Sequence, residues 1–379
     1  MRSFFAALVF SATTAWAAEP PARVAIIGDS ISTGAAAHPA LTYDPLVLWD
    51  VFAGTVPLNV TPADIPEAAR TPFAGSTTLA EPRRLWPADR DFGGGPDWVF
   101  KHAMQSVSRR YLDSPRLSWG YFVAGALGVS PTDVLIAAEN GSRVDTLPSQ
   151  IDRIMAANDG KLPEKVFVFF TGNDLCGPAL SYVTEAEDFE KSLYDGLAYA
   201  QRVATPAAGG TKVYLVSYLS VLQLLHADAI LQKKIMAYGK ERTCAELREA
   251  GYRPADDAAA NMKVPPEAWS FTMVMPPNPS AFCPTLFGGS SRDPKAQEEM
   301  IGALANRIRA YRDAAKRVTE RAQTALASSA AGAAGLSFRF ISGTGDLIFE
   351  PADIAADCFH LSAVGQARVA SAVLAELGD

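Results

Sequence analysis

Five short apolar runs, spaced by helical or turn-rich stretches, limit what this chain can fold into. They cover residues 24–28, 133–138, 165–170, 212–217 and 337–341. Runs of this length, rich in Val, Ile, Leu and Phe, read as strands, and the first, ended by a glycine, as one buried on both faces. Residues 145–155 and 185–203 between them are amphipathic. From about 294 to 328 an Ala-, Arg- and Glu-rich segment places Met300, Leu304, Ile308 and Tyr311 three or four positions apart, a single core-facing stripe. A closing helix is expected over 361–377, and two more over 98–111 and 117–127, each preceded by a proline. Strands alternating with helices predict βαβ units and a parallel sheet.

The rhythm breaks twice. The region from about 38 to 95 is rich in Pro, Thr, Ala and Gly, yet holds Leu46, Trp49, Val51 and Phe52. A long loop with its own apolar residues reads as a lid or pocket wall. Residues 218–291 form a second insertion with Trp269, Phe271, Met273 and Met275, a set that reads as a small satellite core. Neither needs a separate domain, and residues 18–379 are read as one domain with two lid-like insertions.

The N-terminus has the layout of a cleaved secretory signal. Arg2 supplies the charge, residues 4–10 the apolar segment and Ala15-Trp16-Ala17 the small-x-small site, so residues 1–17 are expected to be removed. The apolar run is too short to span a bilayer. A periplasmic or secreted location follows, and it puts the four cysteines in an oxidising compartment. Four cysteines allow three pairings. Cys244 and Cys283 share the second insertion and are expected to pair; Cys176 and Cys358 are a second candidate pair. No Cys-x-x-Cys is present, so the spacing does not suggest zinc. The net charge of −7 without a basic cluster argues against nucleic-acid partners. Transient contact with a membrane surface and the oligomeric state stay open.

Four chemically notable clusters fall just after these elements. Ser30 follows the first strand, Asn140-Gly141-Ser142 the second and Thr171-Gly172-Asn173-Asp174 the third, and Asp357-Cys358-Phe359-His360 precedes the last helix. In a parallel sheet the loops after strands open on one edge, so distant positions converge there. A serine hydroxyl needs a base to become a nucleophile. His360 supplies a group that titrates near neutrality, and Asp357, three residues earlier, is placed to hold its other ring nitrogen. An attacked carbonyl develops negative charge, for which the backbone N–H of Ser30, the backbone N–H of Gly141 and the Asn173 side-chain amide are candidate donors. Read singly, Asn140-Gly141 and Asn173-Asp174 are ordinary turn pairs, and Asp357 an ordinary helix cap. Asp29 and Asp174 are expected to hold loops by short-range hydrogen bonds. His38 is a polar filler or a pocket residue, and His102 and His226 have no partner visible in sequence.

These clusters resemble the four motif blocks of the SGNH (GDSL-type) hydrolases: Gly28-Asp29-Ser30, Gly141, Gly172-Asn173-Asp174, and Asp357 with His360. The resemblance implies a flavodoxin-like three-layer α/β/α sandwich with a mostly parallel sheet. It also implies a serine esterase or lipase acting through an acyl-enzyme, without cofactor or metal. Gly172-Asn173-Asp174-Leu175-Cys176 and Asp357-Cys358-Phe359-His360 are similar to forms in phospholipase B-type members, and the Cys-containing insertion to those and to acyloxyacyl hydrolases. The substrate expected on that basis is an acyl lipid. A carbohydrate esterase removing acetyl groups and an O-acyltransferase are alternatives, and a non-catalytic binding module is the remaining one.

Overall fold

The computed structural model describes residues 21–39, 60–74, 76, 79–87, 113–237, 240–249, 283–287, 293–328 and 335–378. The expected signal (1–17), the helix expected over 98–111, His102 and the aromatic and Met set of 269–275 lie outside the described residues.

All five expected strands are present: β1 (Val24–Gly28), β3 (Val134–Ile136), β4 (Lys165–Phe169), β5 (Thr211–Val216) and β8 (Leu336–Ile341). A two-residue strand, β2 (Arg83–Arg84), adds an edge inside the stretch read as loop. It is too short and too polar for a periodic signal. The sheet order is β2-β3-β1-β4-β5-β8, and every pairing is parallel. Leaving out β2, this is the doubly wound order of flavodoxin, in which ligands bind where the order reverses, here between β1 and β4.

Right-handed crossovers then dictate which helix covers which face. The chain moves one way from β1 to β3 and the other way from β3 onward. So α2 (Trp119–Ala126) covers one face, while α3 (Leu147–Ala157), α4 (Ala186–Val203) and α7 (Pro294–Ser328) cover the other. In agreement, α7 packs on α4 and α4 on α3, whereas the last helix, α8 (Ala363–Leu377), packs on α2. The result is an α/β/α sandwich. Trp119 sets the first face by meeting Phe167 and Phe169 edge-on, at 5.9 and 5.3 Å between ring centres. The stripe expected on α7 is buried at Leu304, Ile308 and Tyr311.

The second insertion is more regular than its sequence suggests. It begins with α5 (Val221–His226), a hairpin of β6 (Lys234–Ala237) and β7 (Lys240–Thr243), and α6 (Cys244–Arg248). Such short elements fall below the length at which periodicity shows. Among the described residues no helix is long and apolar enough to cross a membrane.

The end of β1 is where packing is tightest. Gly28 has φ 152°, and a Cβ there would stand 2.1 Å from the Phe169 carbonyl oxygen of the neighbouring strand. Gln150 from α3 satisfies both backbone groups of Gly28, accepting its N–H at 2.9 Å and donating to its carbonyl at 3.0 Å. Gly28→Ala is therefore expected to destabilise the protein by about 2–4 kcal/mol, combining a strained φ with overpacking. Urea unfolding of the purified variant would measure the loss.

Candidate active site

Ser30 opens α1 (Ser30–Thr33), a single turn directly after β1. Asp29 caps it, its Oδ1 accepting from Ile31 N–H at 3.1 Å. The other oxygen, Oδ2, accepts from the Thr171 N–H and hydroxyl, both at 2.7 Å, and from Gly172 N–H at 3.4 Å. One fully buried carboxylate thus joins the loop after β1 to the loop after β4. Burial pushes its pKa up against those hydrogen bonds. The rest of the serine turn is anchored in three directions. Ser32 donates to the Phe169 carbonyl, Thr33 donates to the Asn140 side chain at 2.8 Å, and Gln366 of α8 donates to the Ile31 carbonyl at 2.9 Å.

Asn173 begins a 3-10 turn, Asn173–Leu175. Its neighbour Asp174 is buried and accepts from Val144 N–H at 3.1 Å and from the Thr184 hydroxyl at 3.0 Å. These bonds tie the third cluster to the segment that follows the second. Burial raises the Asp174 pKa to about 7. Asp29 and Asp174 thus hold loops, as expected, but mainly by bonds across the fold and not by the short-range ones expected: only Asp29 Oδ1 on Ile31 N–H is local.

Residues 354–361 form a closed loop, pinned by the Ile354–Leu361 bridge and by Ala355 N–H on the His360 carbonyl at 2.8 Å. Inside it, Asp357 Oδ1 accepts from the N–H groups of Phe359 and His360 at 3.0 and 2.9 Å, and Oδ2 lies 2.5 Å from His360 Nδ1. Burial works to raise the Asp357 pKa, but the His360 charge and these hydrogen bonds outweigh it and the net shift is downward. A carboxylate on Nδ1 selects the tautomer that leaves the Nε2 lone pair to act as base.

One pocket brings these parts together. Ser30, Thr171, Gly172, Asn173 and His360 line its polar side, and Ile31, Leu219, Val221, Leu224, Leu225, Leu286 and Phe359 its apolar side. It is a small cleft of about 30 Å³, partly open to solvent. Gly141 is not part of the lining. It sits at φ 80° in a turn closed by Ser142 N–H on the Glu139 carbonyl, and its neighbour Asn140 bridges Thr33 to Asp113, itself paired with Arg84. His38 lines a separate cavity beside Ala355 and Ala356, and His226 lies 2.6 Å from the Leu286 carbonyl. Gln150 and Gln366 carry no signal in the sequence, whereas Thr171 stands in the third cluster with no role assigned to it there.

The disulfide pairing needs correction. Cys244 and Cys283 do not pair with each other, and neither do Cys176 and Cys358. The bonds are Cys176–Cys283 and Cys244–Cys358, with Cα atoms 4.8 and 5.5 Å apart. Hydrogen bonds explain the exchange. Thr285 N–H donates to the Gly177 carbonyl and Thr285 Oγ1 accepts from Gly177 N–H, both at 3.0 Å, which sets Cys283 beside Cys176. Cys244 is buried with Cys358 in a separate small cluster with Ile235, Ala237 and Leu247. Each end of the insertion is therefore fastened to a different loop of the pocket, and no free cysteine remains among the described residues. Such bonds persist in oxidising compartments.

No protein-family model matches the chain, and no curated protein matches its sequence.

Peptide mapping under non-reducing conditions is expected to recover the 176–283 and 244–358 pairs and no 244–283 peptide. A second expectation concerns Asp174. Its pKa in the folded protein is raised above the unfolded value, so its contribution to stability is full below about pH 4 and is lost as pH rises through about 7. The stability difference between wild type and Asp174→Asn should shift against wild type over that interval, as read from urea midpoints at successive pH values.

Proposed function

We propose that this protein is an exported serine esterase of the SGNH (GDSL-type) kind, with Ser30 as nucleophile, His360 as general base and Asp357 as the residue that orients it. The observation that carries this reading is the Asp357–His360 pair, 2.5 Å apart, on a loop whose histidine lines one pocket with Ser30 and Asn173. The four motif blocks, the doubly wound fold and the paired cysteines support it.

In this reading Ser30 Oγ attacks the ester carbonyl carbon as its proton passes to His360 Nε2. The charge gathering on the carbonyl oxygen is met by the Ser30 N–H and the Asn173 amide. Gly141, the third expected donor, is outside the pocket lining and is given no part in this step. The bond to the alcohol oxygen breaks as His360 returns the proton to it. Water then attacks the acyl-enzyme, giving its proton to His360, and Ser30 takes that proton as the acid departs. A bound metal or cofactor is not needed for any of these steps.

The wall of Leu219, Val221, Leu224, Leu225 and Leu286 suits the acyl part of an ester, which supports an acyl-lipid substrate. The alternative, removal of acetyl groups from a polysaccharide, is favoured by the small size of the cleft between these side chains.

A p-nitrophenyl ester series from acetate to laurate, run beside phospholipid and acetylated xylan, separates the two. Ser30→Ala should reduce turnover to background with little change in thermal unfolding, and full turnover by the variant would refute the nucleophile. Asn173→Ala should lower kcat by about 10²–10³, the usual cost of one oxyanion donor.

A further inference from the structure

The loop carrying His360 lies outside the sheet, and its middle residue is in a conformation that side chains disfavour. Cys358 has φ 56°, in the left-handed region. Such a conformation persists where its surroundings over-determine it. Within the loop Cys358 N–H donates to the Ala355 carbonyl, and two further constraints on Cys358 come from the short helix α6. Its first residue, Cys244, is bonded to the Cys358 sulfur. Its last, Arg248, donates from Nη2 to the Cys358 carbonyl and from Nη1 to the Leu225 carbonyl.

Arg248 is buried, and its guanidinium carbon lies 5.4 Å from the centre of the Phe287 ring. Phe287 in turn packs on Phe359, with ring centres 6.0 Å apart. One cation therefore touches the loop of the proposed base, the last turn of the wall helix α5 and the turn that supplies Leu286. Arg248 does not line the pocket itself, so whatever it does for a reaction it does through these neighbours. A planar guanidinium reaches two carbonyls at a set spacing, which a single ammonium does not reproduce.

We propose that Arg248 is a positioning residue: by tying the Cys358 carbonyl to the Leu225 carbonyl it sets where the Asp357–His360 pair stands relative to Ser30 and the apolar wall. Its effect on turnover rests on the esterase reading; its effect on the Asp357–His360 pair does not. The covalent Cys244–Cys358 link holds the sulfur of Cys358, while Arg248 holds its carbonyl from outside the loop, on the same peptide plane whose Phe359 N–H donates to Asp357 Oδ1.

The test uses purified, disulfide-bonded wild type, Arg248→Met and Arg248→Lys. Two quantities are read: kcat and KM on p-nitrophenyl acetate, and the low-field proton resonance of His360 Nδ1–H, assigned by its absence in His360→Gln. Arg248→Met is expected to keep both disulfides, lose about 10²-fold in kcat with little change in KM, and lose or broaden the resonance, as for a misplaced catalytic group. Arg248→Lys should recover part of both. A folded Arg248→Met with wild-type kcat and an unchanged resonance overturns the proposal. If Arg248→Met does not fold, Arg248→Lys decides, and wild-type values for it overturn the proposal equally. If wild type cleaves no ester, the esterase reading falls; loss of the resonance in Arg248→Met still supports the positioning role, and its persistence overturns it.

Discussion

The carboxylate of Asp29 is the interaction on which the geometry of the pocket depends. An ionised carboxyl without solvent contact is costly unless donors surround it. Here the donors are Ile31, Thr171 and Gly172, from two strand ends that are neighbours in the sheet and far apart in sequence. Satisfying the charge therefore requires the loop after β1 and the loop after β4 to stand in one relation. Ser30 and Asn173 inherit that relation from a packed sheet and not from flexible chain. Gln150, Ser32 and Gln366 extend the same logic by spending buried side chains on the backbone groups of the turn.

His360 reaches the pocket by a different route. Its loop is closed internally and is fastened to the second insertion by a disulfide and by Arg248. The insertion also supplies the apolar wall, and its far end is fastened to the Asn173 loop through Cys176–Cys283. The wall and the proposed catalytic loops are thus one cross-linked assembly. Any opening of the wall has to take place between those fixed points.

Much of the fold was legible in the chain itself. Strands β1, β4 and β5 and the helix Pro294–Ser328 stand out because strands buried on both faces and long one-stripe helices impose strong residue patterns, and the edge strand β8 because its apolar and polar residues alternate. The elements that escaped are those whose existence depends on partners. Strand β2 is two arginines placed by pairing with β3, and α5, α6 and the β6–β7 hairpin are too short to carry a period. At the candidate site, Ser30, Asn173, Asp357 and His360 were legible because each sits in a compact turn signature at a strand end or before a helix. Gln150, Gln366 and Arg248 carry no local signature, since each is defined by what it reaches across the fold.

The sequence by itself determined that the chain builds alternating strands and helices, that the notable side chains fall on one edge of a parallel sheet, and that Asp357 and His360 are within one turn of each other. Only the tertiary structure decided the disulfide partners, the membership of the pocket and the absence of Gly141 from its lining. The physical reason is that periodicity and turn chemistry act over a few residues, whereas these outcomes are contacts between segments more than a hundred residues apart, such as the two cysteine pairs. Proximity in sequence favoured a Cys244–Cys283 bridge; the hydrogen bonds of Thr285 and the small buried cluster around Cys244 sent the two cysteines to different loops.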